Sequence, residues 1–121
     1  MDFENNEKIN GLVTKLLAKA EEKGFEITNE DAADEIEAAL LEYYNDRHFT
    51  PTEEKPFEDI YASLIVRLAI SSIAKYGAEG ETSHSEGGIS RGYDNASDYP
   101  LSLTRKIIPL AKGVDYNETL N

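Results

Sequence analysis

Apolar side chains recur along this chain with a helical period that lapses where glycine and proline gather. From about Asn6 to Lys23, the residues Ile9, Leu12, Val13, Leu16, Leu17 and Ala20 are spaced three and four apart, one face of a helix. Gly24 then reads as the C′ residue, with Lys19 and Lys23 placed where the negative helix end favours cations. Gly11, inside this helix, costs roughly 1 kcal/mol relative to alanine. A second helix is predicted from Thr28 or Asn29, either of which can cap it, to near His48. Glu30, Asp31, Asp34 and Glu35 crowd its first turns, where acidic groups complement the positive end of the macrodipole. Its apolar stripe is Ile36, Leu40 and Tyr43, flanked by Ala32, Ala33, Ala39 and Tyr44. A stripe so narrow, opposite a strongly acidic face, is expected to put this helix on the outside of the subunit.

The segment Thr50–Pro56, with prolines at both Pro51 and Pro56, ends that pattern. The third helix, about Phe57 to Tyr76, is the most apolar. Ile60, Tyr61, Leu64, Ile65, Leu68 and Ala69 mark one face, while Val66, Ile70, Ile73 and Ala74 spread apolar surface around most of the cylinder. Such a helix is buried on several sides, by its own chain and, on this reading, also by a neighbouring subunit. From Gly77 to Tyr99 the helical period disappears, and residues 77–93 contain five glycines. A loop beyond about 12–15 residues is unusual in a compact domain and tends to serve a function. A last helix is expected to start at Pro100, to have Leu101, Leu103, Ile107 and Ile108 as its core face, and to stop at Pro109, with Ala111 to Asn121 trailing as a tail. The expected fold is all-α: one domain over residues 1–121, a small bundle of about four helices with a long Gly-rich loop before the last, and flexible ends at 1–5 and 113–121.

Composition narrows the class. The chain has no cysteine, which removes disulfides, thiolate metal sites and cysteine nucleophiles together. No apolar stretch approaches the roughly 20 residues of a membrane-spanning helix. The acidic start Met1-Asp2-Phe3-Glu4 is unlike a signal peptide, so the protein is expected to be cytoplasmic where it is made, and Asn95-Ala96-Ser97 and Asn117-Glu118-Thr119 read as chance sequons. The formal net charge is −12, and it is lopsided: residues 1–59 hold 17 acidic against 6 basic side chains, the remainder 7 against 6. DNA binding relies on clustered Lys and Arg that displace counterions, and no such cluster exists here.

The Gly-rich loop invites chemical readings, and each falls short. It carries neither GxxxxGK[ST] nor a GxGxxG after a strand, so it is no phosphate cradle. Glu79, Glu81, His84 and Glu86 offer oxygen and imidazole ligands for a metal-dependent hydrolase, but their spacing matches no known binding loop. Ser83, His84 and Ser85 are adjacent without the buried acid and oxyanion hole that a triad needs. His48 is explained by its place at a helix C-terminus. No catalytic residue, metal or cofactor is expected. The loop's composition suits a different use: Ile89, Arg91 and Tyr93 are interface types set among residues that permit unusual backbone angles.

The run Tyr76-Gly77-Ala78-Glu79-Gly80-Glu81-Thr82-Ser83-His84-Ser85-Glu86-Gly87-Gly88-Ile89-Ser90-Arg91-Gly92-Tyr93, followed by Tyr99-Pro100-Leu101-Ser102-Leu103 and Ile107-Ile108-Pro109, resembles the signature of head–tail connector proteins. These are the small adaptor, or head-completion, subunits of long-tailed bacteriophages with non-contractile tails. The resemblance is sharp over about residues 57–112; over residues 1–50 it rests on helix order. It implies a helical structural subunit, not an enzyme, assembled as a ring of about a dozen copies beneath the portal and located at the head–tail junction of the virion. The ring would extend the DNA channel and offer a platform to the stopper or tail-completion protein. Some family members are monomers until they meet the portal.

On that reading the loop residues Glu79, Gly80, Glu81, Ser83, His84, Ser85, Glu86, Gly87, Ile89, Arg91 and Tyr93, with Val66, Ile70 and Ile73 of the third helix, are the expected protein interfaces. Glu30, Asp34, Glu35, Glu37 and Glu42 form an acidic face that would line the channel without gripping DNA. Like-charged subunits repel, so higher salt is expected to favour ring formation. The competing reading is a small acidic helical regulator or host-interaction protein, which would share the charge and lack of cysteine but form no ring.

Overall fold

The first helix, α1, spans Glu7–Glu22 and is closed at both ends by devices written in its sequence. Asn6 Oδ1 accepts hydrogen bonds from the Lys8 and Ile9 amides at 3.0 and 3.3 Å. At the other end Gly24 takes φ +84°, the Phe25 amide reaches back to the Ala20 carbonyl at 2.8 Å, and the Gly24 amide to Glu21 at 3.0 Å. That pair of bonds is a Schellman closure, which needs a residue at ease with positive φ. The structure, a computed structural model, describes residues 3–78 and 99–110, with the side chains of 76–78 left aside.

Helix α2 runs Asn29–Arg47, capped by Thr28, whose Oγ1 accepts from the Asp31 amide at 3.0 Å. It ends with the same six-to-one bond, Phe49 amide to Tyr44 carbonyl at 3.1 Å, but the left-handed position is held by His48 at φ 61° where glycine would be easier. The two-proline linker makes a turn at Thr52–Lys55 and delivers a fully buried Pro56 and a buried Phe57. A 3-10 turn, Asp59–Tyr61, then leads into α3, Ala62–Ala78.

Helices α1, α2 and α3 each pack against the other two, and α4, Leu101–Thr104, lies against α3. All described regular structure is helical, as the apolar period required. Ile9, Leu12 and Leu16 meet Ala32, Ile36, Ala39, Leu40 and Tyr43 of α2, and Leu64, Ile65, Val66, Leu68, Ala69 and Ile73 of α3, in one core that also takes in Tyr99, Leu103 and Ile107.

Several expectations need correcting. Helix α2 buries more than its expected narrow stripe: Ala32, Ile36, Ala39, Leu40 and Tyr43 are each 0% exposed, while Glu30, Asp34 and Glu37 stay exposed on its other face. Glu35, placed on the acidic face, lies on the core side of α2, three residues from Ala32 and four from Ala39, and is buried. Val66 and Ile73, read as surface for a neighbour, are buried within this chain, and Ile70 is half-buried, so the apolar excess of α3 is largely used internally. Ile60, counted on the core face of the third helix, is 81% exposed because the 3-10 turn rotates it away from the register of α3. The last helix is also shorter than expected, and of its four expected core residues Leu103 and Ile107 are buried while Leu101 and Ile108 are 64% and 63% exposed, because the chain leaves the helix after Thr104. Turns at Lys106 and Ile107 end it well before Pro109.

Candidate functional site

The most elaborate polar arrangement lies where the end of α2, the start of α3 and the C-terminal segment meet. Arg47 closes an otherwise acidic helix, and its guanidinium grips Glu58 in two places, Nε to Oε1 at 2.8 Å and Nη2 to Oε2 at 2.9 Å. This is the planar fork that arginine makes and lysine does not. Its third nitrogen, Nη1, donates to the Ile108 carbonyl at 2.6 Å, and the Arg47 carbonyl accepts from the Leu110 amide at 2.8 Å. One residue thereby ties three separate parts of the chain. The guanidinium also sits 5.1 Å from the Tyr61 ring centre, within cation–π range.

Tyrosines complete the network. Tyr43 Oη donates to Glu58 Oε1 at 2.6 Å and accepts from the Glu58 amide at 3.0 Å. Tyr44 Oη donates to the Pro56 carbonyl at 2.7 Å. Tyr61 Oη accepts from the Ile108 amide at 3.3 Å. The rings form a cluster around Tyr43, which lies 5.3 to 5.6 Å from Tyr61, Tyr44 and Phe49. Titration follows from these contacts. Arg47's hydrogen bonds hold the Glu58 carboxyl below the usual carboxylate range, and Glu58 in turn raises Arg47. Burial pushes the Tyr44 phenol up to about 12, and burial with the Glu58 hydrogen bond raises Tyr43 further. At neutral pH this is a fixed ion pair between neutral phenols, suited to holding chain segments in register rather than to moving protons.

Of the acidic face, Glu30, Asp34 and Glu37 are exposed at i, i+4 and i+7 on α2, while Glu42 is half-buried and Glu35 turns inward. Partial burial, then Asp34 and Glu4, raise the Glu37 carboxyl. The loop residues Glu79, Gly80, Glu81, Ser83, His84, Ser85, Glu86, Gly87, Ile89, Arg91 and Tyr93 lie outside the described residues, and so does the metal reading on Glu79, Glu81, His84 and Glu86. Among the described residues no three His, Asp or Glu side chains are grouped to hold a metal, and no helix is long and apolar enough to cross a membrane.

Two open clefts flank the network. One, of about 410 Å³, lies between Asn45, Asp46 and His48 of the α2 end and Thr104, Arg105 and Pro109; the other, of about 620 Å³, lies between Asn5–Lys8 and Glu53–Glu54. Sequence reasoning missed the Arg47–Glu58–Tyr43 network altogether. The available signal was slight: Arg47 is the sole arginine before Arg67, and Glu58 follows a proline-braced turn. Comparison of the chain with protein-family models, curated proteins and solved structures gives no match.

Proposed function

We propose that this chain is a head–tail connector subunit of a tailed bacteriophage, a structural protein that forms a ring beneath the portal. In this role it extends the DNA channel and carries the stopper or tail-completion protein. The observation that carries the reading is the run Gly77–Tyr93 followed by Tyr99-Pro100-Leu101-Ser102-Leu103 and Ile107-Ile108-Pro109, which resembles the connector signature. The geometry of its flanks supports it. Helix α3, on one side of the loop, is core, and the segment on the other side is fastened by Tyr99, Leu103, Ile107 and the Arg47 network. Helix α3, which ends at Ala78, and the segment that begins at Tyr99 thus both belong to the same bundle. The acidic charge of the first half is compatible with a channel through which DNA slides.

Co-sedimentation with the purified portal of the same phage or prophage tests the reading. The wild-type chain should pellet with the portal in a fixed ratio. Arg91→Ala or Tyr93→Ala should weaken that association while leaving the thermal unfolding of the isolated chain nearly unchanged. Failure of the wild-type chain to associate would leave the helical regulator as the better reading.

A further inference from the structure

We infer that Tyr99–Leu110 is a strap that undocks as one unit from a bundle which stays folded without it. The inference goes beyond the connector reading and does not depend on it. The three long helices supply most of the core: Leu16, Ile36, Leu40, Tyr43, Ile65 and Leu68 are each 0% exposed, and none belongs to the strap. The strap adds Tyr99, Leu103 and Ile107 to that core but leaves Leu101, Ile108 and Leu110 at 64%, 63% and 39% exposure.

Its fastening is correspondingly thin. The backbone bonds of α4 and the turn after it, from Leu103, Thr104, Arg105, Lys106 and Ile107, all stay within the strap. Among the described residues, backbone groups of Ile108 and Leu110 bond to Arg47 and Tyr61 of the bundle. A helix of four residues cannot persist in water by itself, so losing the dock also unravels α4. Few buried side chains, and an anchoring bond from Arg47 to the Ile108 carbonyl that is exposed, are the marks of a segment that opens at lower free energy than the whole protein. Opening uncovers the part of α3 beneath the strap and frees Leu103, Ile107, Ile108 and Leu110 together. The fold thus holds a releasable apolar segment whose latch is Arg47 and Tyr61.

The absence of cysteine allows a clean test on the full chain. A single thiol is introduced by Leu103→Cys to report the strap, or by Ser72→Cys, at a fully buried position on α3, to report the bundle. Native-state labelling of the Leu103→Cys thiol should be faster and nearly independent of low urea, because little surface is exposed by the opening. The Ser72→Cys thiol should label slowly and accelerate steeply with urea. Adding Ile107→Ala should speed strap labelling at least tenfold and change bundle labelling less than twofold. Tyr61→Phe, which removes the acceptor for the Ile108 amide, should act in the same direction with a smaller factor. Equal acceleration of both thiols by Ile107→Ala, or the same urea dependence for both, would overturn the inference.

Discussion

Truncating Arg47 and Glu58 singly and together should reveal a coupling of about 2 kcal/mol, well above what an exposed ion pair supplies. The magnitude follows from the geometry. The pair is bidentate at 2.8 and 2.9 Å, and the two side chains are 14% and 18% exposed. A solvated pair contributes roughly 0.2–1 kcal/mol, whereas breaking a fully interior pair costs about 3–5 kcal/mol. This one lies between those limits. Glu58→Ala alone also leaves the Tyr43 hydroxyl and the guanidinium without their carboxylate, so about 3 kcal/mol is expected. Arg47→Ala loses the Ile108 carbonyl contact and the approach to Tyr61 as well, for a similar cost of about 3 kcal/mol. The double variant should then lose about 4 kcal/mol instead of the additive 6 or so. Urea unfolding followed by far-ultraviolet circular dichroism gives all the required free energies. Additivity to within about 0.5 kcal/mol would refute the reasoning and reduce the network to a surface pair.

Other outcomes follow from single residues. Leu68→Ala, at a position 0% exposed, should cost about 2–5 kcal/mol in the same urea assay. His48→Gly should stabilise the chain by about 0.5–1 kcal/mol, because His48 is held at φ 61° and exposed; a loss of stability would mean the imidazole makes a contact that outweighs the strain. Acid should also act through Glu58. Its folded-state carboxyl titrates below the ordinary value of 4.5, so the stability it brings is complete above that value and drains as pH falls through the depressed one. Glu37, raised in the folded state, works in the opposite sense, favouring the fold at low pH and losing that contribution as pH rises past 4.5. Arg47→Ala should therefore flatten the acid side of the stability–pH curve, measured as the unfolding midpoint between pH 3 and 6 or so.

Much of the bundle was legible because helix signals are local. Asn6, Gly24 and Thr28 act through the backbone beside them, and the threes and fours of α1 needed no knowledge of a partner. The width of the buried stripe of α2 was not legible, because alanine reads as neutral in a sequence while Ala32 and Ala39 in the structure are fully buried members of the core. Glu35 was misplaced for the same reason: once alanines count as core, the buried stripe widens to include it. Ile60 went wrong because a 3-10 turn shifts register without any change in composition. The Arg47–Glu58–Ile108 network joins residues 11 and 61 positions apart, a juxtaposition that periodicity cannot express. The IIP ending was noticed as part of a signature, and the structure supplies a physical role: Ile107 is buried, Ile108 presents its amide and carbonyl to Tyr61 and Arg47, and Pro109 follows where no amide is required.

The most direct test of the central claim is electron microscopy of portal rings from the same phage or prophage, mixed with an excess of this chain at moderate and high salt. The connector reading predicts an added ring of about a dozen copies seated beneath the portal, coaxial with its channel and more complete as salt rises. Portal rings left bare at every salt concentration, with the chain remaining a monomer beside them, would contradict it.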